Sequence, residues 1–92
     1  FAAAMLNGKW NFIDTEGKLL SEQWFDSATV FCDGFARVEL NDKWNFIDKN
    51  GKLLSEQWLD NAYKFSNGLA RVELNGNTMY IDTKGKLTSH RQ

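Results

Sequence analysis

The sequence predicts an all-β fold in which antiparallel β-hairpin or meander repeats of 34 residues stack into a solenoid-like array. Shifted by 34 positions, residues 9–42 match residues 43–76 at 24 of 34 positions. The segment Leu69–Leu74 alternates between apolar and polar residues, which indicates a strand. Seven glycines, no proline and 14% aromatic residues favour aromatic-rich strands joined by glycine turns.

The repeat divides one domain of 92 residues into four parts. Residues 1–8 end a truncated repeat, residues 9–42 and 43–76 are two repeats, and residues 77–92 form a C-terminal capping half-repeat. Because the chain starts inside a repeat and without an initiator methionine, we expect that it was cut from a longer protein. The last copy is more polar, as a cap without an outer neighbour should be.

Each hairpin is expected to turn at an Asn-Gly or Asn-Asp pair, which tolerates positive φ. These pairs are Asn7-Gly8, Asn41-Asp42 and Asn75-Gly76. Asp accepts positive φ less readily than Gly does, so the middle turn should be the least favourable. Before the last turn, Ala70 and Val72 should face one side of the strand and Arg71 the other.

Two hairpin registers are compatible with the sequence. A two-residue loop places Leu40 opposite Lys43, whereas a three-residue loop places it opposite Trp44. We favour the three-residue loop because it pairs apolar with apolar residues. Val38, Leu40, Trp44 and Phe46 would then line one face of the sheet.

The second strand of each hairpin is followed by Asp at the first and Gly at the fourth position of a predicted type I turn. These turns are Asp14–Gly17, Asp48–Gly51 and Asp82–Gly85. The connectors Ala28–Phe31 and Ala62–Phe65 fit either a short strand or a single helical turn. We therefore expect about three strands and an aromatic-rich connector in each unit.

The segments Gly8–Asp14, Gly17-Lys18 and Asp33–Val38 together resemble the WG-containing repeat family of bacterial proteins, also called KWG repeats. Asn11 and Asn45 stand where that family has its name-giving Gly. The resemblance implies a β-rich array without established catalytic residues. It also implies a large surface or secreted bacterial protein, so a cell-surface or secreted location is slightly favoured.

Composition disfavours several classes of function. Eleven basic and twelve acidic residues give a net charge of -1, without the basic excess of a nucleic-acid binder. No apolar run approaches the roughly 20 residues of a membrane span. Cys32 is the only cysteine and His90 the only histidine, and they lie far apart in the sequence. We therefore predict no disulfide, no metal site, no cofactor and no catalytic set.

We also predict no metal site at the aspartates that open the type I turns, Asp14, Asp48 and Asp82. Their Asp-x-x-Gly pattern lacks the alternating acidic ligands of a calcium loop. The turn itself explains both the Asp and the Gly, so we do not assign a calcium site.

Two sets of residues are candidates for recognition. Arg37, Glu39, Arg71 and Glu73 should form a solvated, partly paired face, and a second interpretation is a polar ladder recognised by a protein partner. Trp10, Trp24, Trp44 and Trp58 should form core between repeats, or alternatively a surface for carbohydrate or choline-like ligands.

We therefore predict a non-catalytic structural or protein-interaction module, with small-ligand binding as the alternative. Its partner is expected to be a protein. Open strand edges also favour self-association, because an unpaired edge is a template for another strand.

Overall fold

The computed structural model describes residues 1–89, and these residues form nine β-strands without a helix. The strands are β1 (Ala2–Leu6), β2 (Lys9–Ile13), β3 (Ser27–Ala28), β4 (Phe35–Leu40), β5 (Lys43–Asp48), β6 (Asn61–Ala62), β7 (Leu69–Leu74), β8 (Asn77–Asp82) and β9 (Leu87–Thr88). They form three antiparallel sheets with the orders β1-β2, β3-β4-β5 and β6-β7-β8-β9. The all-β antiparallel prediction is confirmed. Residues 90–92 of the predicted cap, including His90, lie outside the described residues.

The long hairpins turn through two residues. Both central residues of the middle turn, Asn41 and Asp42, have positive φ, 55° and 66°. Leu40 therefore pairs with Lys43 rather than with Trp44, and the three-residue loop that we favoured is wrong. The reason is that a two-residue turn with positive φ at both positions matches the twist of the strands, and this outweighs apolar pairing at the hairpin end.

The observed register places apolar side chains on both faces of the middle sheet. Val38 pairs with Asn45, and Arg37 pairs with Phe46. Val38 and Phe46 therefore lie on opposite faces, and both are buried. The single apolar face predicted from the sequence does not form, because this sheet has neighbours on both sides.

Two clusters of buried side chains join consecutive sheets. The first contains Phe12, Phe25, Ala36, Val38 and Ile47. The second contains Phe46, Leu59, Ala62, Phe65, Ala70, Val72 and Ile81. Each cluster combines residues from neighbouring units, so the units bury apolar surface against one another, as repeats too small for a core of their own require.

The connector after each hairpin contributes to two sheets. Phe25 exchanges two backbone hydrogen bonds with Trp10, of 2.7 and 2.8 Å, at the edge of the first sheet. Two residues later, Ser27 pairs with Glu39 in the middle sheet. The stretch Ala28–Phe31 thus begins at the end of strand β3 and contains no helical turn.

The predicted Asp-x-x-Gly turns are present, and two of their glycines also touch the preceding unit. In the first turn, the Gly17 N–H donates to the carbonyl oxygen three residues earlier, at 3.1 Å. A Cβ added at Gly17 would meet no atom within 4 Å. At Gly51 it would clash with the carbonyl oxygen of Leu20, and at Gly85 it would lie 2.5 Å from that of Leu54. These two glycines therefore permit close contact between units.

Strand β1 has one unpaired edge within the described residues. Its counterparts β4 and β7 each have a short outer strand, β3 and β6 respectively. Phe1, Met5 and Leu6 beside this edge are all more than half exposed. The open edge expected from the sequence is present at this end.

Candidate interaction surface

An exposed cluster of three polar contacts lies on β7 and its neighbouring connector. The guanidinium of Arg71 lies 3.7 Å from the Glu73 carboxylate, and both side chains are exposed, by 52% and 37%. The same guanidinium stacks on Tyr63, 4.6 Å from the ring centroid. The Tyr63 hydroxyl donates to Glu73 Oε2 at 3.4 Å. We call Tyr63, Arg71 and Glu73 the polar cluster.

Arg37 has a different role one unit earlier. Its Nη1 donates to the carbonyl oxygen of Ala62 at 3.2 Å, and this hydrogen bond connects Arg37 to the connector of the next unit. Glu39 is half-buried, and its backbone carbonyl accepts from Asp26 N at 2.8 Å. Of the four predicted residues, only Arg37 therefore contacts another unit within the described part of the chain. Arg71 and Glu73 form an exposed ion pair, and Glu39 and Glu73 each accept a backbone hydrogen bond within their own unit.

A groove of about 250 Å³ adjoins the polar cluster. We call it the terminal groove, and its walls are Tyr63, Lys64, Ser66, Leu69, Arg71 and Tyr80. These residues come from β7, β8 and the connector between β6 and β7. Only Arg71 among them was a candidate from the sequence, because the other five acquire a common surface only through the fold.

The corresponding groove one unit earlier contains an aromatic ring from the following unit. We call it the internal groove. It has Phe35, Arg37 and Phe46 in its walls, together with Phe65. The Phe65 ring stacks on Phe35 at 4.6 Å and meets Phe46 edge-on at 4.9 Å. In the first unit, Phe31 occupies the equivalent position.

The four tryptophans are all half-buried. Trp44 packs against the second apolar cluster and Trp58 against the first. None of Trp10, Trp24, Trp44 and Trp58 is in the walls of the terminal or internal groove. Two of the four thus contribute to packing between units.

A family model for the WG containing repeat matches residues 12–44 and 46–77. The two matches are consecutive, start 34 residues apart and cover more than half of the chain. The chain belongs to the WG containing repeat family. No curated protein and no solved structure matched it in the two other comparisons.

In this WG repeat chain, buried asparagines replace the glycine expected from the family pattern. The Asn45 amide donates to the Ser55 carbonyl at 2.9 Å, and its oxygen accepts from Ser55 N at 3.1 Å. Asn11 holds Ser21 in the same way, at 2.7 and 3.3 Å. Both asparagines are fully buried. The sequence signal for this role was an asparagine between Trp and Phe at the same position of both copies.

Asp26 and Asp60, which the sequence did not indicate as functional residues, connect the hairpin turns of consecutive WG repeats. Asp60 forms an ion pair with Lys43 and accepts a hydrogen bond of 2.8 Å from the backbone of Asn75. The Lys43 ammonium, followed by the Asn75 N–H, lowers the pKa of the Asp60 carboxyl. Asp26 makes the equivalent contacts with Lys9 and the Asn41 backbone.

The turn aspartates of the WG repeats bind their own backbone. Asp14 Oδ1 accepts from Glu16 N at 2.8 Å and Lys18 N at 2.9 Å. The Lys18 N–H makes the largest contribution to lowering the pKa of Asp14. Across residues 1–89, no group of three or more His, Cys, Asp or Glu side chains is placed to hold a metal ion.

Cys32 Sγ lies 3.9 Å from the Phe65 carbonyl oxygen.

No helix in the part of the chain that the structure describes has the length and apolar character needed to cross a membrane.

Proposed function

We propose that this chain is a non-catalytic structural and protein-interaction module, and that the polar cluster with the terminal groove forms its recognition surface. The observation that carries the proposal is the difference between Arg71 and Arg37. Arg37 is used in packing between units, whereas Arg71 is exposed beside Tyr63 and Tyr80 in a groove. Tyrosine and arginine are enriched among the residues that dominate binding energy at protein interfaces.

The proposal includes a solenoid-like arrangement of the units. Support comes from the two apolar clusters, each of which combines residues of consecutive sheets. Repeat proteins built in this way present extended surfaces on which a partner can lie. The structural part of the function is then to hold the recognition surface in a fixed position relative to the preceding units.

Quantitative affinity isolation with the whole chain tests the recognition surface. The immobilised wild type is compared with a Tyr63→Ala/Arg71→Ala variant, and a matched Glu22→Ala/Gln23→Ala variant alters two exposed residues on another connector. We expect retention of a partner by wild type and control to exceed that by the surface variant by about tenfold. Equal retention by all three chains, each shown to be folded by circular dichroism, would exclude this surface as the recognition site.

Binding of carbohydrate or choline-like ligands by the tryptophans is the alternative function. It is less supported, because no indole is in the walls of either groove. Titration with choline and with oligosaccharides, followed by tryptophan fluorescence, compares the two functions. A saturable change that is lost on Trp10→Phe or Trp24→Phe substitution would favour the alternative.

Self-association through the open edge of β1 is a further part of the proposal. An unpaired strand edge offers backbone donors and acceptors to a second chain. We expect the sedimentation coefficient to rise with protein concentration. A monomer at all concentrations would remove this part of the proposal and leave the recognition surface unaffected.

A further inference from the structure

We infer that the terminal groove binds a phenylalanine side chain carried by a partner segment of the form Ala-x-x-Phe. This inference rests on the proposed interaction function of the same surface and specifies the chemistry of the partner. The internal groove provides the basis, because it shows which segment a groove of this construction accepts.

The ring-binding part of the internal groove is formed by two aromatic walls. The Phe65 ring lies between Phe35, on which it stacks with an interplanar angle of 24°, and Phe46, which it meets at 70°. Phe65 is only 2% exposed as a result. Phe31 repeats this arrangement one unit earlier, with stacked and edge-on contacts at 5.5 and 5.0 Å. One construction thus holds a phenylalanine twice in this chain.

Two donors hold the backbone of the same inserted segment. Arg37 Nη1 donates to the carbonyl oxygen of Ala62 at 3.2 Å. The Cys32 thiol, a weak donor, lies 3.9 Å from the carbonyl oxygen of Phe65. The two acceptors are three residues apart, and Ala62 is buried where it pairs with Val72 in its own sheet. These contacts bind a phenylalanine and the carbonyl three residues before it, and both segments that supply such a phenylalanine in this chain, residues 62–65 and 28–31, read Ala-x-x-Phe.

Every one of these binding residues has a counterpart in the terminal groove, 34 positions later. The ring walls become Leu69 and Tyr80, and the donors become Arg71 and Ser66. The Ser66 hydroxyl is a stronger donor than the thiol it replaces. The terminal groove therefore offers one apolar wall, one aromatic wall and two donors for backbone carbonyls.

The terminal groove is available for a ring as far as the described residues extend. Within residues 1–89, no aromatic side chain pairs with Tyr80. The ion pair of Arg71 with Glu73 and the stacking of Arg71 on Tyr63 are both exposed and add little stability in water, so Arg71 can exchange them for a partner carbonyl.

A peptide titration of the whole, isotopically labelled chain tests the inference by NMR. The probe is the end-blocked peptide Leu-Asp-Asn-Ala-Tyr-Lys-Phe-Ser-Asn-Gly, which reproduces residues 59–68. We expect saturable shifts centred on Ser66, Leu69, Arg71 and Tyr80. The Leu69 methyl signals should move upfield, because the inserted ring lies against them. A peptide with Phe replaced by Ala should bind about tenfold more weakly, since the ring supplies most of the buried apolar surface.

Protein variants locate the bound ring. Leu69→Ala and Tyr80→Ala should each weaken peptide binding by about tenfold, whereas Tyr80→Phe should preserve it. Leu19→Ala is the matched control, because it removes an exposed leucine, 49% accessible, that is not in the groove. The altered peptide leaves the protein unchanged, so the test does not depend on the folding of any variant.

Absence of saturable shifts up to about 1 mM peptide, or equal binding of the Phe→Ala peptide, would overturn the inference. The proposed function is judged by its own measurement. A partner whose retention depends on Tyr63 and Arg71, together with no phenylalanine-dependent peptide binding, would leave the interaction role in place and refute the specificity for Ala-x-x-Phe.

Discussion

The first and middle hairpins share five residues in their second strand, and four of the five are buried to the same degree, whereas the isoleucine is not. Both Lys9–Ile13 and Lys43–Ile47 read Lys-Trp-Asn-Phe-Ile. Ile47 is 0% exposed, whereas Ile13 is half-buried. The middle sheet shares one apolar cluster with the first sheet and the other with the last. Burial of this isoleucine is therefore set by the neighbouring unit, because the local sequence is the same in both hairpins.

Truncation of the two isoleucines should give the largest contrast. Ile47→Ala is expected to cost about 3 kcal/mol, because it leaves a cavity in a closed cluster. Ile13→Ala should cost about 1 kcal/mol, since solvent already reaches part of that side chain. Urea unfolding with unchanged m values measures both losses. Equal losses would show that the first sheet is covered as fully as the middle one. If Ile47→Ala does not fold, Ile47→Val against Ile13→Val preserves the comparison.

Substitution of the turn glycines separates backbone strain from close contact. Gly17 and Gly51 have nearly the same positive φ, 84° and 82°. Gly17→Ala should cost about 1 kcal/mol through its φ alone. Gly51→Ala should cost about 1 to 3 kcal/mol more, because the new Cβ would overlap the carbonyl oxygen of Leu20. Thermal unfolding of the two variants measures the difference, and identical midpoints would remove the contact between units as the reason for Gly51.

The buried asparagines provide the third comparison. Asn45→Ala should cost about 2 kcal/mol, because it leaves the backbone N–H and carbonyl of the buried Ser55 without partners. Asn11→Ala should cost about 1 kcal/mol, since water can reach the half-buried Ser21. Hydrogen exchange of the Ser55 and Ser21 amides checks the cause. Unchanged protection of Ser55 in Asn45→Ala would contradict it.

Replacing Asp42 with Gly, which the outer hairpin turns have at this position, should stabilise the middle hairpin turn. Asp42 adopts a φ of 66°, where Gly is favoured. Asp42→Gly should therefore stabilise the chain by about 0.5 kcal/mol, and the reverse exchange Gly76→Asp should destabilise it by a similar amount. Melting temperatures in opposite directions are expected. A lower melting temperature for Asp42→Gly would mean that the Asp side chain contributes contacts to the turn.

Protonation of a single carboxylate such as that of Asp60 should change the free energy of unfolding least, because the group is exposed and screened by solvent. The pKa of Asp60 lies below its usual value of 3.8, chiefly because of Lys43. The corresponding stability is therefore present above pH 3.8 and is lost as the pH falls through the lowered pKa. Urea midpoints along an acid series should fall less steeply for Asp60→Asn than for the wild type. Parallel curves would show that this carboxylate does not link the hairpin turns.

Much of the fold could be predicted because its signals are local. Period-two alternation identified the strands, and Asn-Gly or Asp-x-x-Gly pairs identified the turns. The repeat of 34 residues led to the family that the comparison then showed. The register could not be predicted correctly, because apolar pairing and turn geometry favoured different answers at Leu40 and only the turn conformation decided between them.

Less of the candidate site could be predicted. The alternation of β7 placed Arg71 and Glu73 on the solvent face, and the structure pairs them there. Tyr63, Leu69 and Tyr80 carried no signal of their own, because they belong to three different segments that meet only after the units pack.

The amino-acid sequence by itself determined the strands, the turns, the repeat and the alternation of faces, because each depends on residues close together in the chain. The tertiary structure alone decided that the identical pairs Ile13 and Ile47, Gly17 and Gly51, and Arg37 and Arg71 have different surroundings. The physical reason is that burial, steric contact and hydrogen bonding between units depend on which unit lies next to a residue, and equal local sequences contain no information about that neighbour.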